Sequence, residues 1–122
     1  MMHHKSLLVI DDEKLVRWTI QQSMEKEDFR VVSVSDGAEA MEKIKQERFD
    51  VIITDFIMPG LNGMDVVRKA KELHPETKVI MLTAYGSILD KEEAQKAGVS
   101  RFLDKPFLVH EVKNAVSSLL CG

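Results

Sequence analysis

Residues 7–13 read Leu-Leu-Val-Ile-Asp-Asp-Glu, four apolar residues followed directly by three acids. A short, uninterrupted apolar run is typical of a strand buried on both faces of a parallel sheet. The run is far too short for a signal peptide or a membrane span. The abrupt change to carboxylates therefore indicates a buried strand whose end carries acidic side chains.

The same alternation of a short apolar run and a longer amphipathic segment occurs five times along the chain. The predicted strands are Leu7–Asp11, Arg30–Val34, Val51–Asp55, Lys78–Leu82 and Arg101–Leu103. The predicted helices are about Glu13–Glu27, Gly37–Glu47, Met64–Leu73, Ser87–Ala97 and Val109–Leu120. Alternating strands and helices predict an α/β domain with a doubly wound parallel sheet, in which ligands bind beyond the carboxyl ends of the strands.

The first predicted helix carries a loose apolar stripe. It comprises Leu15, Ile20 and Met24, with Val16 and Trp18 as neighbours. Apolar residues at helical spacing are typical of the face that packs on a sheet. We therefore interpret Trp18 as a packing residue and not as a ligand-stacking residue.

Composition limits the functions that this chain can have. Its 122 residues fit one compact domain, and 17 Lys plus Arg against 20 Asp plus Glu give a net charge of −3. This charge argues against direct binding to nucleic acid or to an anionic membrane. Cys121 is the single cysteine, so an intrachain disulfide or a cysteine-based zinc site lacks partners. These features favour a reducing, cytoplasmic location.

Five side chains lie at or just after the predicted strand ends: Asp11, Asp12, Asp55, Thr83 and Lys105. Taken singly, each could be a solvated strand-end, turn or surface residue. Together, converging carboxylates repel one another unless a cation lies among them, and hard oxygen ligands favour Mg²⁺ or Mn²⁺ over zinc. A lysine and a hydroxyl beside a metal complete a site for a phosphoryl group in transit.

These residues make the chain resemble a response-regulator receiver domain of bacterial two-component signalling over essentially all of its length. The matching motifs are Asp11-Asp12, Ile53-Thr54-Asp55-Phe56-Ile57-Met58-Pro59-Gly60, Thr83-Ala84 and Lys105-Pro106-Phe107. Their order and spacing also fit. The resemblance implies a flavodoxin-like (βα)5 fold, whose five-stranded parallel sheet has the order 2-1-3-4-5.

The resemblance also implies roles for the site residues. Asp55 is the expected phosphorylation site, attacking the phosphohistidine of a partner kinase to form an aspartyl phosphate. Asp12, Asp55 and the main-chain carbonyl of Ile57 would hold Mg²⁺, and Asp11 would act through a bound water. Lys105 would pair with a phosphoryl oxygen, and the following proline resembles one that follows a cis peptide bond.

Four positions would govern switching and lifetime. Thr83 would bond the phosphoryl group, and the ring of Phe102 would turn inward when Thr83 moves. A plain core aromatic on an edge strand remains the other interpretation of Phe102. Ile57 and Tyr85 offer no carboxylate or amide to orient an attacking water, so we expect slow self-dephosphorylation. On this view the domain catalyses only its own phosphoryl transfer and slow loss, and is not an enzyme.

The expected partners are a sensor histidine kinase and, on phosphorylation, a second copy of the chain. Thr83-Ala84-Tyr85-Gly86 and Phe102-Leu103-Asp104-Lys105-Pro106-Phe107 look like receivers of nitrogen-regulation-type transcription activators. In those proteins an ATPase domain and a DNA-binding domain follow the receiver. Residues 1–122 would then be a single receiver domain, either excised from a longer regulator or a natural single-domain protein.

Other classes of protein use similar parts. A haloacid-dehalogenase-type phosphatase also uses a strand-end aspartate, Mg²⁺ and a lysine, but it needs an acid where Ile57 stands. A flavin carrier of the same fold class would need a Ser/Thr/Gly-rich loop after the first strand, where this chain has Asp11-Asp12-Glu13. A binding-only pseudo-receiver is disfavoured because all five chemical positions are filled.

Overall fold

The computed structural model describes residues 5–58, 60–84 and 90–120. Strands and helices alternate through these residues. The strands are β1 (Lys5–Ile10), β2 (Phe29–Val34), β3 (Val51–Asp55), β4 (Lys78–Ala84) and β5 (Arg101–Lys105). The helices are α1 (Lys14–Glu25), α2 (Gly37–Gln46), α3 (Gly63–Leu73), α4 (Lys91–Ala97) and α5 (Val109–Leu120). Within the described ranges, no helix is long and apolar enough to cross a membrane.

All five strands are parallel and form one sheet in the order β2-β1-β3-β4-β5. The predicted α/β class and strand order are thus confirmed. The central strands are apolar on both faces because helices cover both faces. From β1 the chain continues to β2 on one side of the sheet, and from β3 it continues to β4 on the other side. In sheets of this kind a ligand binds at the carboxyl ends of the two strands where the direction changes, here β1 and β3.

A separate apolar core fills each face of the sheet. Successive residues of a strand point to opposite faces, so Ile52 packs under α2, α3 and α4, whereas Ile53 packs under α1 and α5. Ile80 and Met81 of β4 divide in the same way. The same alternation of side chains along each strand determines which face of the sheet a side chain at the strand's carboxyl end lies on.

The observed strands differ from the predicted ones at their ends. β1 ends at Ile10, one residue earlier than predicted, whereas β4 and β5 each extend two residues further. The predicted placement of Thr83 and Lys105 after their strands is therefore wrong: both lie inside the β4–β5 ladder, paired with Asp104 and Ala84 respectively. Pairing between β4 and β5 keeps these two polar residues in strand conformation. The prediction ended each strand where its apolar run ends, so it missed these last residues.

Helix α4 begins at Lys91, later than the predicted start at Ser87, which lies outside the described residues. Asp90 has extended backbone, and its side chain accepts hydrogen bonds from the amides of Glu92 and Glu93. This is N-cap geometry, in which an aspartate satisfies amides that have no partner within the helix.

The predicted packing role of Leu15 and Trp18 is wrong. Their side chains are 73% and 57% exposed, whereas Ile20 and Met24 are buried and Val16 packs beside them. Residues 16, 20 and 24 are spaced by four and share one face of a helix, and Leu15 and Trp18 lie off that face. Helix α1 thus packs through a narrower stripe than predicted and leaves an indole in solvent.

At the opposite edge of the sheet from the acidic strand ends, Asp50 joins the beginnings of β1 and β3. Its Oδ2 accepts from the Ser6 amide at 2.8 Å, and Arg48 Nη2 lies 3.1 Å from its Oδ1. Burial by itself would raise the pKa of Asp50, but these two partners outweigh it and hold the pKa below its ordinary value of 3.8.

A group whose pKa is lower in the folded chain stabilises the fold above its unfolded pKa and loses that contribution as the pH falls toward the folded value. We expect Asp50→Asn to lower the free energy of unfolding by about 1–2 kcal/mol at neutral pH. The difference from the wild type should shrink below about pH 4. Urea unfolding at neutral and acidic pH measures it, and an equal difference at both would contradict the assignment.

Candidate functional site

Three aspartates meet where β1 and β3 end. Each of Asp11, Asp12 and Asp55 offers one carboxylate oxygen, and these oxygens all lie within 4.8 Å of one another. The meeting follows from the fold, because β1 and β3 are adjacent parallel strands and their carboxyl ends share one edge. The structure thus brings together the three carboxylates that the sequence predicts as metal ligands.

Asp11 is the buried member of the cluster and is 0% exposed. Its Oδ1 accepts from the Glu13 amide at 2.9 Å. Its Oδ2 lies 2.8 Å from Lys105 Nζ, yet no donor in the described part of the chain is aligned to hydrogen-bond it. Burial raises the pKa of Asp11 despite the nearby ammonium. A buried oxygen with a charge beside it but no directed donor is suited to a cation ligand.

The Lys105 ammonium lies among three carboxylates. Its Nζ is 2.8 Å from Asp11 Oδ2, 3.1 Å from Asp55 Oδ2 and 3.1 Å from Glu13 Oε1. Burial alone would lower the pKa of Lys105, but the carboxylates of Asp11, Glu13 and Asp55 outweigh it and raise the pKa above its usual range. Lys105 is therefore a fixed positive charge at neutral pH, held directly against Asp55.

The main chain around Asp55 is fixed by contact with the start of α3. The Gly63 amide donates to the Phe56 carbonyl at 2.8 Å. A Cβ at Gly63 would lie 2.3 Å from the Asp55 carbonyl oxygen, which is closer than any such contact can be, so only glycine fits there. On the other side, the Phe56 amide donates to Leu82 of β4 at 3.1 Å. Asp55 thus projects from a rigid strand end and not from a loose loop.

The Thr83 hydroxyl faces the other side of the sheet from Asp55 and donates to Asp104 Oδ1 at 2.9 Å. Thr83 and Asp104 are register partners in parallel strands, so their side chains project from the same face. By the same alternation, Phe102 projects from that face. Thr83 is not in the aspartate cluster in this structure: its hydroxyl proton is already used by Asp104.

The remaining predicted positions lie around this core. Phe102 is partly buried against the core beneath α2, α3 and α4, and the Lys91 ammonium lies 5.3 Å from its ring centroid. At this distance the cation–π contact between Lys91 and Phe102 connects the start of α4 to β5.

The other predicted positions are Ile57, Tyr85 and the proline after Lys105. The Ile57 side chain is 60% exposed beside the site. Tyr85, like Pro59 of the quoted motif, lies outside the described residues. The peptide bond between Lys105 and Pro106 is cis, as the resemblance implied.

Sequence reasoning missed two acidic residues that contact the predicted site residues. Glu13 contacts Lys105, and Asp104 contacts Thr83. Glu13 directly follows Asp11-Asp12 in the sequence, and this position could have placed it at the same site. Asp104 had no signal, because the β4–β5 register that places it beside Thr83 cannot be deduced from apolar runs.

The chemistry of the donors tests whether a metal fits. The cluster offers carboxylate oxygens without histidine or cysteine, and one of these oxygens is buried without an aligned donor. Mg²⁺ prefers such hard ligands, uses one or two carboxylates and keeps several waters for exchange with phosphoryl oxygens. The exposed position of Asp12 leaves room for those waters. The residues present therefore fit Mg²⁺.

An acidic site with a lysine at the switch point of a doubly wound α/β domain is suited to handling a phosphoryl group. The family model described as the response regulator receiver domain matches residues 7–117. The chain therefore belongs to the response regulator receiver domain family. Receiver domains are the signalling domains of two-component systems and not classical enzymes; they interact with histidine kinases and bind Mg²⁺ at an acidic site.

Two curated relatives show how much of a regulator this chain represents. It is 37% identical to the transcriptional regulatory protein CutR of Streptomyces coelicolor over 113 residues, covering 93% of this chain and 52% of CutR. It is 27% identical to sporulation initiation phosphotransferase F of Bacillus subtilis, covering 98% of this chain and 96% of that protein. The chain thus spans nearly all of one relative and about half the length of the other.

Solved structures share the fold closely. The chemotaxis response regulator CheY4 of Vibrio cholerae matches with a TM-score of 0.88 and 28% identity over 97% of this chain and 100% of that chain. The receiver domain of sensor histidine kinase PA1611 of Pseudomonas aeruginosa has a magnesium ion coordinated in its active-site cleft. It matches with a TM-score of 0.86 over 98% of this chain and 100% of that chain, and at 24% identity it supports the fold alone.

Proposed function

We propose that this chain accepts a phosphoryl group from a histidine kinase onto Asp55 and changes conformation in response. The observation that carries the proposal is the contact of Lys105 Nζ with Asp55 Oδ2 at 3.1 Å inside a cluster of three aspartates. A nucleophilic carboxylate next to a fixed cation and a metal-type ligand set is the arrangement that phosphoryl transfer requires.

In the proposed step, an Asp55 carboxylate oxygen attacks the phosphorus of a phosphohistidine. A phosphorus–oxygen bond to Asp55 forms and the phosphorus–nitrogen bond breaks, with the imidazole nitrogen keeping the electron pair and taking a proton from solvent. Lys105 donates to the transferred group and offsets the charge on its oxygens. Gly63 lets the main chain of α3 approach closely enough to keep Asp55 in position.

Asp12, Asp55 and the main-chain carbonyl of Ile57 would hold Mg²⁺, and Asp11 would act mainly through a bound water. When bound, the ion supplies a positive charge that draws together the carboxylate and the phosphoryl oxygens. Mn²⁺ has the same preference for oxygen ligands and would substitute for it. Asp11 also keeps Lys105 close to Asp55 while the group is transferred.

The proposed switch is an exchange of hydrogen bonds at Thr83. In the structure the hydroxyl donates to Asp104, and a phosphoryl group on Asp55 would offer a more strongly charged acceptor. Moving Thr83 toward it would open space on the face that also holds Phe102. The cation–π contact of Lys91 with Phe102 would then carry the change to α4.

Thr83→Ala is expected to take up the phosphoryl group but to lose the structural response. Hydrogen exchange of the segment 91–105, compared before and after phosphorylation, measures that response. The wild type should show a change and Thr83→Ala little or none, because the alanine has no hydroxyl to exchange. Ser100→Ala, at an exposed hydroxyl just before β5, is the control. An unchanged response in Thr83→Ala would rule out this switch.

Phosphorylated protein is expected to lose its phosphoryl group slowly, on the order of minutes or longer. The apolar Ile57 side chain, exposed beside the site, cannot orient an attacking water, and Tyr85 is expected to act alike. The decay of the phosphorylated mass after removal of the donor measures the lifetime. Ile57→Asn should shorten it, because an amide can position water. A wild-type half-life of seconds would contradict the shielding role.

The output is proposed from the relatives. CutR is a transcriptional regulator that is about twice as long as this chain, so we propose that the receiver controls transcription in the cytoplasm. If the resemblance to nitrogen-regulation-type activators extends to the whole protein, residues 1–122 would be a receiver domain followed by an ATPase and a DNA-binding domain; the alternative is a natural single-domain regulator. Phosphorylation would favour a homodimer, and this domain itself would bind neither nucleic acid nor membrane.

The test is phosphorylation of the purified chain by acetyl phosphate, followed by intact-mass spectrometry. We expect a gain of one phosphoryl group with Mg²⁺ and none with a chelator, and we expect the added group to be lost in alkali, as acyl phosphates are. Calorimetry with Mg²⁺ establishes metal binding in the same sample. No mass gain in protein that binds Mg²⁺ would overturn the proposal and favour a pseudo-receiver or a rapidly hydrolysing phosphatase.

A further inference from the structure

Glu13 occupies the N-cap position of α1 but does not cap the helix. Its backbone is extended, with φ −91° and ψ 116°, and its side chain makes no hydrogen bond to the first turn. Ser, Thr, Asp and Asn are the residues that stabilise this position, because their short side chains reach the free amides. The Glu13 carbonyl accepts from the Arg17 amide at 3.1 Å, but the helix does not use the Glu13 side chain.

The Glu13 carboxylate is directed to the phosphoryl-transfer site instead. Its Oε1 accepts from Lys105 Nζ at 3.1 Å. Lys105 donates hydrogen bonds to Asp55 and Glu13, and the Asp11 carboxylate lies 2.8 Å from the same ammonium without an aligned hydrogen bond. Carboxylates thus crowd the ammonium on three sides, so a phosphoryl oxygen that binds Lys105 has to displace one of them.

Exposure and chemistry indicate which carboxylate gives way. Asp11 is completely buried, so its oxygen would lose the ammonium without gaining water. Asp55 becomes part of the phosphorylated group itself. The Glu13 side chain is 62% exposed and lies outside the aspartate cluster, so water can replace Lys105 at its carboxylate with little cost.

We propose that Glu13 is a positioning residue that holds one hydrogen of Lys105 in place of the phosphoryl oxygen until the group arrives. This inference rests on the proposed phosphorylation of Asp55. Glu13 competes with the aspartates for the Lys105 ammonium and adds a negative charge at the rim of the site. It therefore favours Mg²⁺ binding in the unphosphorylated chain and disfavours the approach of small anionic donors.

The decisive variant is Glu13→Gln, which keeps the shape and removes the charge. We expect the Mg²⁺ dissociation constant, measured by calorimetry, to rise about two- to fivefold. At saturating Mg²⁺, we expect the second-order rate constant for acetyl phosphate, measured by intact mass, to rise by a similar factor of about two to five. Opposite effects on metal and donor are the specific result, since damage to the fold would weaken both.

Two further variants control the experiment. Glu25→Gln removes an equal charge at the far end of α1, about 18 Å away at 1.5 Å per residue and beyond the screening length at physiological salt. It should leave both constants unchanged. Glu13→Ser also lacks the carboxylate but can cap the helix, so it should reproduce both effects while raising the melting temperature of the metal-free protein.

The outcomes separate this proposal from the function on which it rests. If the wild type is phosphorylated and Glu13→Gln matches it in both constants, or loses both affinity and rate, the role of Glu13 is overturned and Asp55 remains the acceptor. If Glu25→Gln shifts both constants as much as Glu13→Gln does, a general charge effect replaces the specific contact. If the wild type takes up no phosphoryl group although it binds Mg²⁺, the proposed function fails and the role of Glu13 fails with it.

Discussion

Asp55→Asn is expected to abolish phosphorylation of the chain by acetyl phosphate, with no gain in intact mass under conditions that modify the wild type. The reason is chemical: an amide oxygen is a far weaker nucleophile than a carboxylate, and the variant keeps nearly the same shape. The contacts that fix the main chain around residue 55 should hold the asparagine amide where the carboxylate was. We therefore expect a loss of the reaction and not merely a slower one.

A matched acid far from the site provides the control for this loss. Glu76 is an exposed residue in the turn before β4, so Glu76→Gln removes one carboxylate charge without touching the strand ends. It should be phosphorylated like the wild type. One phosphoryl group on Asp55→Asn, mapped by peptide mass to Asp11 or Asp12, would contradict the assignment of the acceptor and leave the acidic cluster as a less specific site.

Lys105→Met is expected to impair both the reaction and the stability of the metal-free protein. Removing one preorganised donor to a transferring group typically slows a reaction by about 10²–10³-fold. Without Mg²⁺, the variant also leaves Asp11, Glu13 and Asp55 without the ammonium between them, so we expect the free energy of unfolding to fall by about 2 kcal/mol. Acetyl phosphate kinetics and urea unfolding in chelator measure the two effects.

Added Mg²⁺ should affect the stability of Lys105→Met but not its rate of phosphorylation. In Lys105→Met, added Mg²⁺ should recover much of the lost stability, because it supplies positive charge to the aspartates. It should not recover the rate, because the donor to the phosphoryl group is still missing. Lys105→Arg keeps the charge and should retain stability in chelator. Full stability of Lys105→Met in chelator would show that the carboxylates tolerate one another without the ammonium.

The sequence predicted the sheet because burial on both faces leaves few alternatives. Val51–Asp55 contains an apolar run that a strand buried on both faces accounts for. Its place as a parallel neighbour of β1 was implied by the family resemblance and is confirmed. Asp11, Asp12 and Asp55 could be grouped for the same reason, since carboxyl ends of parallel strands share an edge. Contacts that follow from the order of strands were thus predictable once the resemblance supplied that order.

Contacts that depend on side-chain direction were not predictable. Leu15 and Trp18 are apolar, and only the rotation of α1 shows that they face solvent. Asp104 lies beside Thr83 because of the register between β4 and β5, and the apolar runs of the sequence do not determine that register. Glu13 could have completed a helix cap or bonded a lysine, and these alternatives differ by a single side-chain rotation. Composition and spacing do not distinguish such choices.

The outward-facing indole on α1 gives this protein a natural optical reporter. Trp18 is the single tryptophan of the chain and is 57% exposed, less than two turns from the start of the helix. Its fluorescence therefore arises from one known place and should resemble that of an indole in water. Any protein that covers this face of α1 would shift the emission to shorter wavelength, so association can be followed with unlabelled, unmodified chain.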